Sequence, residues 1–177
     1  DEAAGLAEQA LLCSDFKDLE TYYDNHRSAD ELVVMAQGAT AGAMAYASEQ
    51  NLPITVDEAN VQLGEGYSIY ANSEGFFGDK RGSNASASVV AIAEQEGDME
   101  REYWWEAVRD IEHMPAMTDI GRTAARRTLS RLGSRKVKST RAPVLFDPST
   151  AKSLIGHMLS ALSGSALYQE ASFLKND

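Results

Sequence analysis

Cysteine and histidine are scarce in this chain of 177 residues. The single cysteine, Cys13, excludes a disulfide within the chain and a zinc site built from several cysteines. Its acidic neighbours disfavour a reactive thiolate, so we predict a small buried or half-buried thiol. The histidines His26, His113 and His157 are too far apart, on unlike predicted elements, to form a local metal site. We expect the first two to be solvated loop residues and His157 to be a buried or capping histidine.

Long apolar runs are also missing. No stretch approaches the length needed to cross a bilayer, and residues 1–4 have neither a basic region nor a hydrophobic segment typical of a leader. We therefore expect a cytoplasmic protein with no membrane contact. The chain has no initiator Met, and residues 173–177 follow a helical pattern without a stop signal. These features predict that both ends are cut from a longer protein.

Charge is unevenly distributed along the chain. The formal net charge is −11, which disfavours binding to phosphate backbones and anionic lipid. Acidic residues crowd the first thirty positions, and half of all Lys and Arg form one basic cluster: Arg122, Arg126, Arg127, Arg131, Arg135, Lys136, Lys138 and Arg141. Such a cluster could bind nucleic acid. No interleaved aromatics or base-reading motif accompany it, so we favour a solvated helix face that pairs with the acidic N-terminal region or another subunit.

A helix is predicted to begin after a capping box. Residues 24–27 read as a loop or turn, and Ser28 with Glu31 then has the spacing of reciprocal side-chain caps. Small and apolar residues recur at helical spacing from Leu32 to Ala47, which predicts close packing of this helix on a sheet. Asn51 to Pro53 ends it.

Residues 54–109 are predicted to form an antiparallel β-meander, because alternating, β-rich segments are separated by glycine-containing turns. The Ser, Ala and Val alternation near residue 89 predicts a smooth strand face that lies against a helix or another sheet. The predicted strands are Ile54–Leu63, Tyr67–Ala71, Phe76–Lys80, Ala85–Glu94 and Met99–Val108.

Two further helices are predicted after residue 112. Residues 112–115 read as a linker, and Thr118 is the predicted cap of a separate helix over 118–132 that Gly133 ends. Residues 143–146 read as a short apolar strand. Asp147 and Pro148 then begin a helix whose apolar face comprises Ala151, Leu154, Ile155, Met158, Leu159 and Leu162.

Asp98, Glu100 and Glu102 recur at strand period and so line one face. A carboxylate row could bind a cation, but an edge strand guarded by charge is the simpler interpretation. No nucleophile elbow, phosphate-binding loop or zinc-helix signature is found in the sequence. Residue spacing alone therefore predicts an α+β protein and no specific chemistry.

Several segments resemble the TldD/PmbA family, in family order and across most of the chain. Residues 96–103 (EGDMEREY) resemble the hairpin of PmbA proteins, long labelled modulators of DNA gyrase. Further similar segments are 124–132 (AARRTLSRL) with Arg135 and Lys136, 142–146 (APVLF), 156–157 (GH) and 172–174 (SFL). Each segment is weak alone, but the combination is specific.

The resemblance implies a domain order. Residues 1–114 would form an N-terminal α+β domain, incomplete at its start, and 115–141 an interdomain helix and basic loop. Residues 142–177 would be the truncated opening β-α unit of a mainly antiparallel C-terminal domain. The family works as TldD/TldE-type dimers that degrade or mature peptides. In its catalytic branch the helix after the opening strand carries His-Glu-x-x-x-His, whose histidines hold zinc and whose Glu is the general base.

Placed on this chain, the motif puts His157 at the first histidine, Met158 at the glutamate and Leu162 at the second histidine. Met cannot take a proton from water and Leu cannot ligate a metal. The resemblance therefore implies the PmbA/TldE branch, with no metal or cofactor in this chain and zinc only in a catalytic partner.

We expect a non-metal subunit of a peptidase complex, paired with a TldD-like catalytic subunit, a second copy, or both, and acting on peptides. Because the apolar face of the last helix needs cover, a dimer or further oligomer is expected. The alternatives are a peptidase in its own right that uses residues outside this chain, and a DNA- or gyrase-associated regulator. Binding of nucleic acid is the less favoured expectation.

Overall fold

The computed structural model describes residues 5–174, except the side chain of Gln9. The acidic Asp1 and Glu2 and the chain end at 175–177 lie outside the described residues. The chain divides into two compact units, unit 1 up to Arg135 and unit 2 from Lys136. The domain boundaries given above stay predictions.

Helix α1, Ala29–Gln50, begins as the sequence predicts. The Ser28 amide donates to the Glu31 carboxylate at 2.8 Å, and the Glu31 amide donates to the Ser28 hydroxyl at 3.3 Å. This reciprocal bonding satisfies two amides that a helix start leaves free. Asn51 ends α1 in the left-handed conformation with φ 54°. The predicted capping box is confirmed.

The sheet has three strands, β1 (Ile54–Ala71), β2 (Phe77–Gln95) and β3 (Asp98–Val108), in the order β1-β2-β3 and all antiparallel. The prediction of five strands is wrong. Gly64 to Gly66 and Gly82 to Ser83 do not turn, because they pair with each other: Gly64 faces Asn84 and Gly66 faces Gly82. Cross-strand pairing over the full hairpin keeps both glycine segments extended.

One face of β2 forms the centre of the core. Ala85, Ala87, Val89, Ala91 and Ala93 are buried there, as the alternating pattern predicts. Helix α1 and a second helix, α2 (Met117–Leu129), pack on this face. The fold class, an α+β arrangement of helices on an antiparallel sheet, is confirmed.

Helix α2 crosses α1 at backbone contact. A Cβ added at Gly121 would lie 1.8 Å from the Ala39 carbonyl oxygen, and one added at Gly42 would lie 2.1 Å from the Thr118 carbonyl oxygen. Ala116, not Thr118, is the N-cap of α2, and it makes no side-chain cap. The predicted Thr118 cap is therefore wrong, since that residue is inside the helix. In unit 1, α2 is a core element, with Ile120, Ala124 and Ala125 buried.

Residues 21–25, which we name the strap, fasten the N-terminal segment to the sheet. The Ser83 amide donates to the Thr21 carbonyl at 2.9 Å, and the Tyr23 amide donates to the Ser83 hydroxyl at 2.8 Å. Asn25, buried at 6% exposure, donates to the Arg109 carbonyl at 2.6 Å and accepts from the Ile111 amide at 2.8 Å. The strap lies beside the part of β2 that β3 does not reach. A short 3-10 helix, Gln9–Leu11, precedes the strap, and another, Ile111–His113, follows β3.

Unit 2 contains helix α3, Pro148–Ala161, and helix α4, Gly164–Tyr168. The predicted strand at 143–146 is wrong, because a strand needs a hydrogen-bonded partner and no described residue pairs with that segment. Within residues 5–174, no helix has the length and apolar content to span a bilayer.

Candidate functional site

Helix α3 carries the positions that align with the zinc motif of the family that the sequence resembles, and the local sequence explains where the helix begins and ends. The Asp147 carboxylate accepts from the Ser149 amide at 2.9 Å, and Pro148 occupies the first turn, where its missing N–H has no cost. At the other end, Leu162 is the C-cap and its amide donates to the Met158 carbonyl at 3.0 Å. His157, Met158 and Leu162 therefore span the last turn and the cap.

The side chains at these three positions do not make a zinc site. His157 is exposed, so the expectation of a buried or capping histidine is wrong; α3 buries none of its residues. Met158 and Leu162 supply neither a metal ligand nor a general base. In the described part of the chain, no three His, Cys, Asp or Glu side chains gather closely enough to hold a metal. The donor set on α3 does not fit zinc.

The apolar face of α3 is open within the described structure. Between 50% and 59% of each large side chain along it is exposed, which is far more than a core helix shows. The residues are Leu154, Ile155, Met158, Leu159 and Leu162. The predicted apolar face is thus present, and unit 2 leaves it uncovered.

The two other histidines and the single cysteine are also exposed. His26 is in the loop before α1, and His113 contacts Asp110 through Nδ1 at 3.2 Å with 76% of its side chain exposed. Both are solvated, as predicted. Cys13 is exposed and donates to the Asp15 carbonyl at 3.3 Å, so the prediction of a buried or half-buried thiol is wrong. None of residues 10–24, which surround Cys13, is buried.

Three of the eight residues of the basic cluster, Arg122, Arg127 and Arg131, have identified contacts within unit 1. Arg122 makes a two-pronged contact with Glu49 at 2.9 and 2.6 Å, and its guanidinium lies 4.9 Å from the centre of the Tyr46 ring. Arg127 lies 5.2 Å from the centre of the Trp104 ring. The acidic partners of Arg122 and Arg131 are Glu49 on α1 and Glu100 and Glu102 on β3. For the other basic residues, pairing with the acidic N-terminal region or with another subunit stays a prediction.

The predicted carboxylate row holds the end of α2. Glu100 and Glu102 accept from Arg131 at 3.1 and 2.8 Å, and Asp98 accepts from the Gly133 amide at 2.8 Å. Glu100 raises the pKa of Arg131 chiefly through this hydrogen bond. These carboxylates join β3 to the turn that follows α2, a role that the sequence signal of three acids at strand period did not identify. Their engagement argues against a cation site.

A groove of ≈ 820 Å³ lies between residues 16–23 and β2. At its wall, Arg81 stacks 3.5 Å from the centre of the Tyr22 ring and donates to Glu65 at 2.9 Å. The Arg81 hydrogen bond lowers the pKa of Glu65. Arg81, Glu65 and Tyr22 therefore contact one another, and these contacts hold the N-terminal segment against β1 and β2.

Replacing Arg122 by Gln should raise the pKa of Glu49. The Arg122 hydrogen bond holds that pKa below its usual range. Folding therefore favours the ionised Glu49 carboxylate. This contribution to the stability of the folded protein is present above the usual glutamate pKa and is lost as the pH falls through the lowered pKa. NMR titration of the carboxyl carbons measures the change. Glu31, whose pKa is lowered by the Ser28 amide, should titrate as before. An unchanged Glu49 pKa would contradict the assignment.

Comparison with known proteins gives consistent matches along the chain. The model of the PmbA/TldA metallopeptidase central domain matches residues 22–132, and that of the PmbA/TldA metallopeptidase C-terminal domain matches residues 139–177. Metalloprotease PmbA of Escherichia coli O157:H7 is 33% identical over 175 residues, covering 98% of this chain. A Metalloprotease PmbA homolog of Haemophilus influenzae is 29% identical over 174 residues, with the same coverage. This chain spans 38% of the length of either relative.

Solved structures agree with these matches. The crystal structure of a proposed modulator of DNA gyrase from Bacteroides thetaiotaomicron aligns with a TM-score of 0.86 and 28% identity, over 99% of this chain and 40% of that one. A second proposed modulator of a DNA gyrase, from Thermotoga maritima, aligns with a TM-score of 0.63 and 21% identity, over 73% of this chain and 29% of that one. At its lower identity, the second match shows the fold alone.

Proposed function

Because this chain belongs to the PmbA/TldD metallopeptidase family, we propose that it is the non-metal subunit of a TldD/TldE-type complex that degrades or matures peptides. The observation that carries the proposal is on α3. Where the catalytic branch has a glutamate and a second histidine, this chain has Met158 and Leu162. The peptide-cleaving zinc would then belong to a TldD-like partner, in a cytoplasmic complex.

The open face of α3 supports an assembled protein. Five large apolar side chains half exposed on one helix are costly in water, so they favour cover by further parts of a C-terminal domain or by another subunit. Assembly with a catalytic partner is part of the same proposal. Peptides are the proposed substrates of that complex, and α3 itself would supply no reacting group.

A DNA-binding role has less support. The net charge is −11, and Arg122 and Arg131 are ion-paired with Glu49, Glu100 and Glu102. A phosphate backbone would have to displace these carboxylates before it could use the same guanidinium groups. The charge pattern therefore favours the peptidase-complex proposal over the regulator alternative.

Metal analysis of the full-length protein tests the proposal directly. We expect no stoichiometric zinc, because one exposed histidine with no second ligand on α3 cannot hold the ion tightly. His157→Ala should leave the metal content unchanged, and mass spectrometry under native conditions or elemental analysis can measure it. A folded His157→Ala variant, checked by circular dichroism, is the control for loss of structure.

Two results would overturn the proposal. One tightly held zinc per chain that His157→Ala removes would place a metal site on α3. One zinc per chain that His157→Ala does not affect would support the alternative, a peptidase that uses residues outside this chain. Absence of zinc from both proteins, with an unaltered spectrum, would support the non-metal subunit.

A further inference from the structure

The sheet of unit 1 has a two-stranded extension. The third strand, β3, pairs with β2 only from Ala85 onward, whereas β1 and β2 stay paired as far as Ala71 and Phe77. We name residues 64–71 and 77–84 the arm. A hairpin of two strands is marginally stable in water, so the arm needs support from outside the hairpin.

The composition of the arm weakens it further. Glycine recurs in both of its strands, and this residue gives a strand no side chain to pack and loses the most entropy on ordering: Gly64, Gly66, Gly78 and Gly82. None of these glycines has a positive φ, so the backbone conformation does not require them. Within the arm, all of which the structure describes, only Ser83 is buried. The arm therefore has no core of its own.

The strap contacts the arm along the edge of β2 that β3 does not reach. The Ser83 amide donates to the Thr21 carbonyl at 2.9 Å, and the Tyr23 amide donates to the Ser83 hydroxyl at 2.8 Å. The Thr21 hydroxyl donates to the Arg81 carbonyl at 2.6 Å. A Cβ added at Gly82 would lie 3.6 Å from the Thr21 carbonyl oxygen. The strap therefore supplies the hydrogen bonds and the close contacts that β3 supplies to the rest of β2.

Two aromatic side chains of the N-terminal segment extend this support to the tip of the arm. The Phe16 ring packs edge-on against Phe76, at the end of the turn between β1 and β2, with ring centroids 5.9 Å apart. The Tyr22 ring centre lies 3.5 Å from the guanidinium carbon of Arg81. Arg81 in turn donates to Glu65 on β1 at 2.9 Å, so the Tyr22 contact reaches both strands of the arm.

We propose that the arm and residues 16–25 open and close together in the folded protein, as a conformational unit distinct from the rest of the sheet. Helices α1 and α2 cover the buried face of β2 beyond the arm, whereas the described contacts of the arm are its own ladder and the N-terminal segment. By linkage, displacing the segment costs the arm its order, and an ordered arm holds the segment in place. The arm is thus an order–disorder element controlled by the position of residues 16–25.

This inference does not depend on the proposed peptidase role. Hydrogen exchange of the full-length protein, followed by mass spectrometry, tests it. Phe16→Ala combined with Tyr22→Ala removes an aromatic pair and a cation–π contact, which should speed exchange of the arm amides about tenfold. Exchange of residues 85–95 should not change, because the helices cover that part of β2. Leu19→Ala is the matched control: this side chain is 72% exposed between the two altered positions, and its loss should leave arm exchange unchanged.

Stabilising the arm itself gives a second readout. A Cβ at Gly66 would meet no described atom within 4 Å, so valine fits there and raises the strand propensity of the arm. Gly66→Val added to the double variant should slow arm exchange roughly fivefold without restoring the lost contacts. Circular dichroism confirms that each variant is folded. Unchanged arm exchange in the double variant, an equal loss of protection at residues 85–95, or no recovery with Gly66→Val would each overturn the inference.

Discussion

Gly121→Ala is expected to destabilise unit 1 by about 2–3 kcal/mol, as overpacking of a tight core does. The new Cβ would lie 1.8 Å from the Ala39 carbonyl oxygen and 2.9 Å from the Ala43 amide nitrogen. Both atoms belong to the backbone of α1, so no side-chain rotation can relieve the clash. The helices would have to separate, and the midpoint of thermal unfolding should fall by about 10 °C.

Gly38→Ala on α1 is the matched control. A Cβ at Gly38 would lie 3.5 Å from the Met117 side chain, which is an ordinary contact. Alanine also favours helix over glycine, so this variant should gain up to about 1 kcal/mol. Urea denaturation of both variants gives the free energies of unfolding. Equal stability of Gly121→Ala and the unaltered chain would show that α1 and α2 do not cross at backbone contact.

Peptidase activity should be absent from the purified full-length protein and appear only when a zinc-bearing partner is added. Hydrolysis at a metal requires an ion that activates water and a group that takes its proton. Neither is available on α3, where Met158 and Leu162 replace the motif's residues. The measurement is the rate of cleavage of an unstructured peptide by each protein alone and by the mixture.

Two substitutions separate the subunits' roles. His157→Ala in this chain should change the activity of the mixture by less than about twofold, because the residue is exposed and has no proposed catalytic role. Replacing the motif glutamate of the partner by glutamine should lower activity by about 10² or more, the usual effect of losing a general base. Cleavage by this protein alone that disappears with His157→Ala would contradict the proposal.

Local signals predicted the starts of α1 and α3, but not the limits of α2, which ends at Leu129 and not at Gly133. The Ser28 and Glu31 box and the Asp147 and Pro148 start both rely on side chains that bond to backbone within three residues. Such contacts are complete before any tertiary packing and are therefore visible in the sequence. Thr118 shows the limit of such signals, because this residue is inside a helix whose N-cap, Ala116, lies two residues earlier.

Strand number could not be obtained from local signals. Gly64, Gly66 and Gly82 have the composition of turns, but each is extended because the opposite strand satisfies its backbone. The true turn at Glu96 and Gly97 has φ of 52° and 83°, which suits a two-residue hairpin. Composition alone does not distinguish the two cases, since register over a long hairpin is a non-local property.

The residues that replace the zinc motif could be identified from the sequence, whereas the surroundings of α3 could not. The absence of a second ligand beside His157 is a property of the sequence, so the motif comparison was sufficient. The exposure of His157 depends on what packs on α3, and the apolar spacing of that helix indicates a face without indicating its cover. The role of Glu100 and Glu102 was hidden for the same reason, because Arg131 reaches them from a different element.

The strap has a consequence for the order in which unit 1 acquires its structure. Its bond from Thr21 to Arg81 joins residues 60 positions apart, and that from Asn25 to Arg109 joins residues 84 apart. Closing so large a loop costs entropy that one or two hydrogen bonds do not recover in an otherwise open chain. The strap's binding surface exists only once β2 and the end of β3 are in place. The N-terminal segment is therefore expected to dock late in folding, after the sheet has formed.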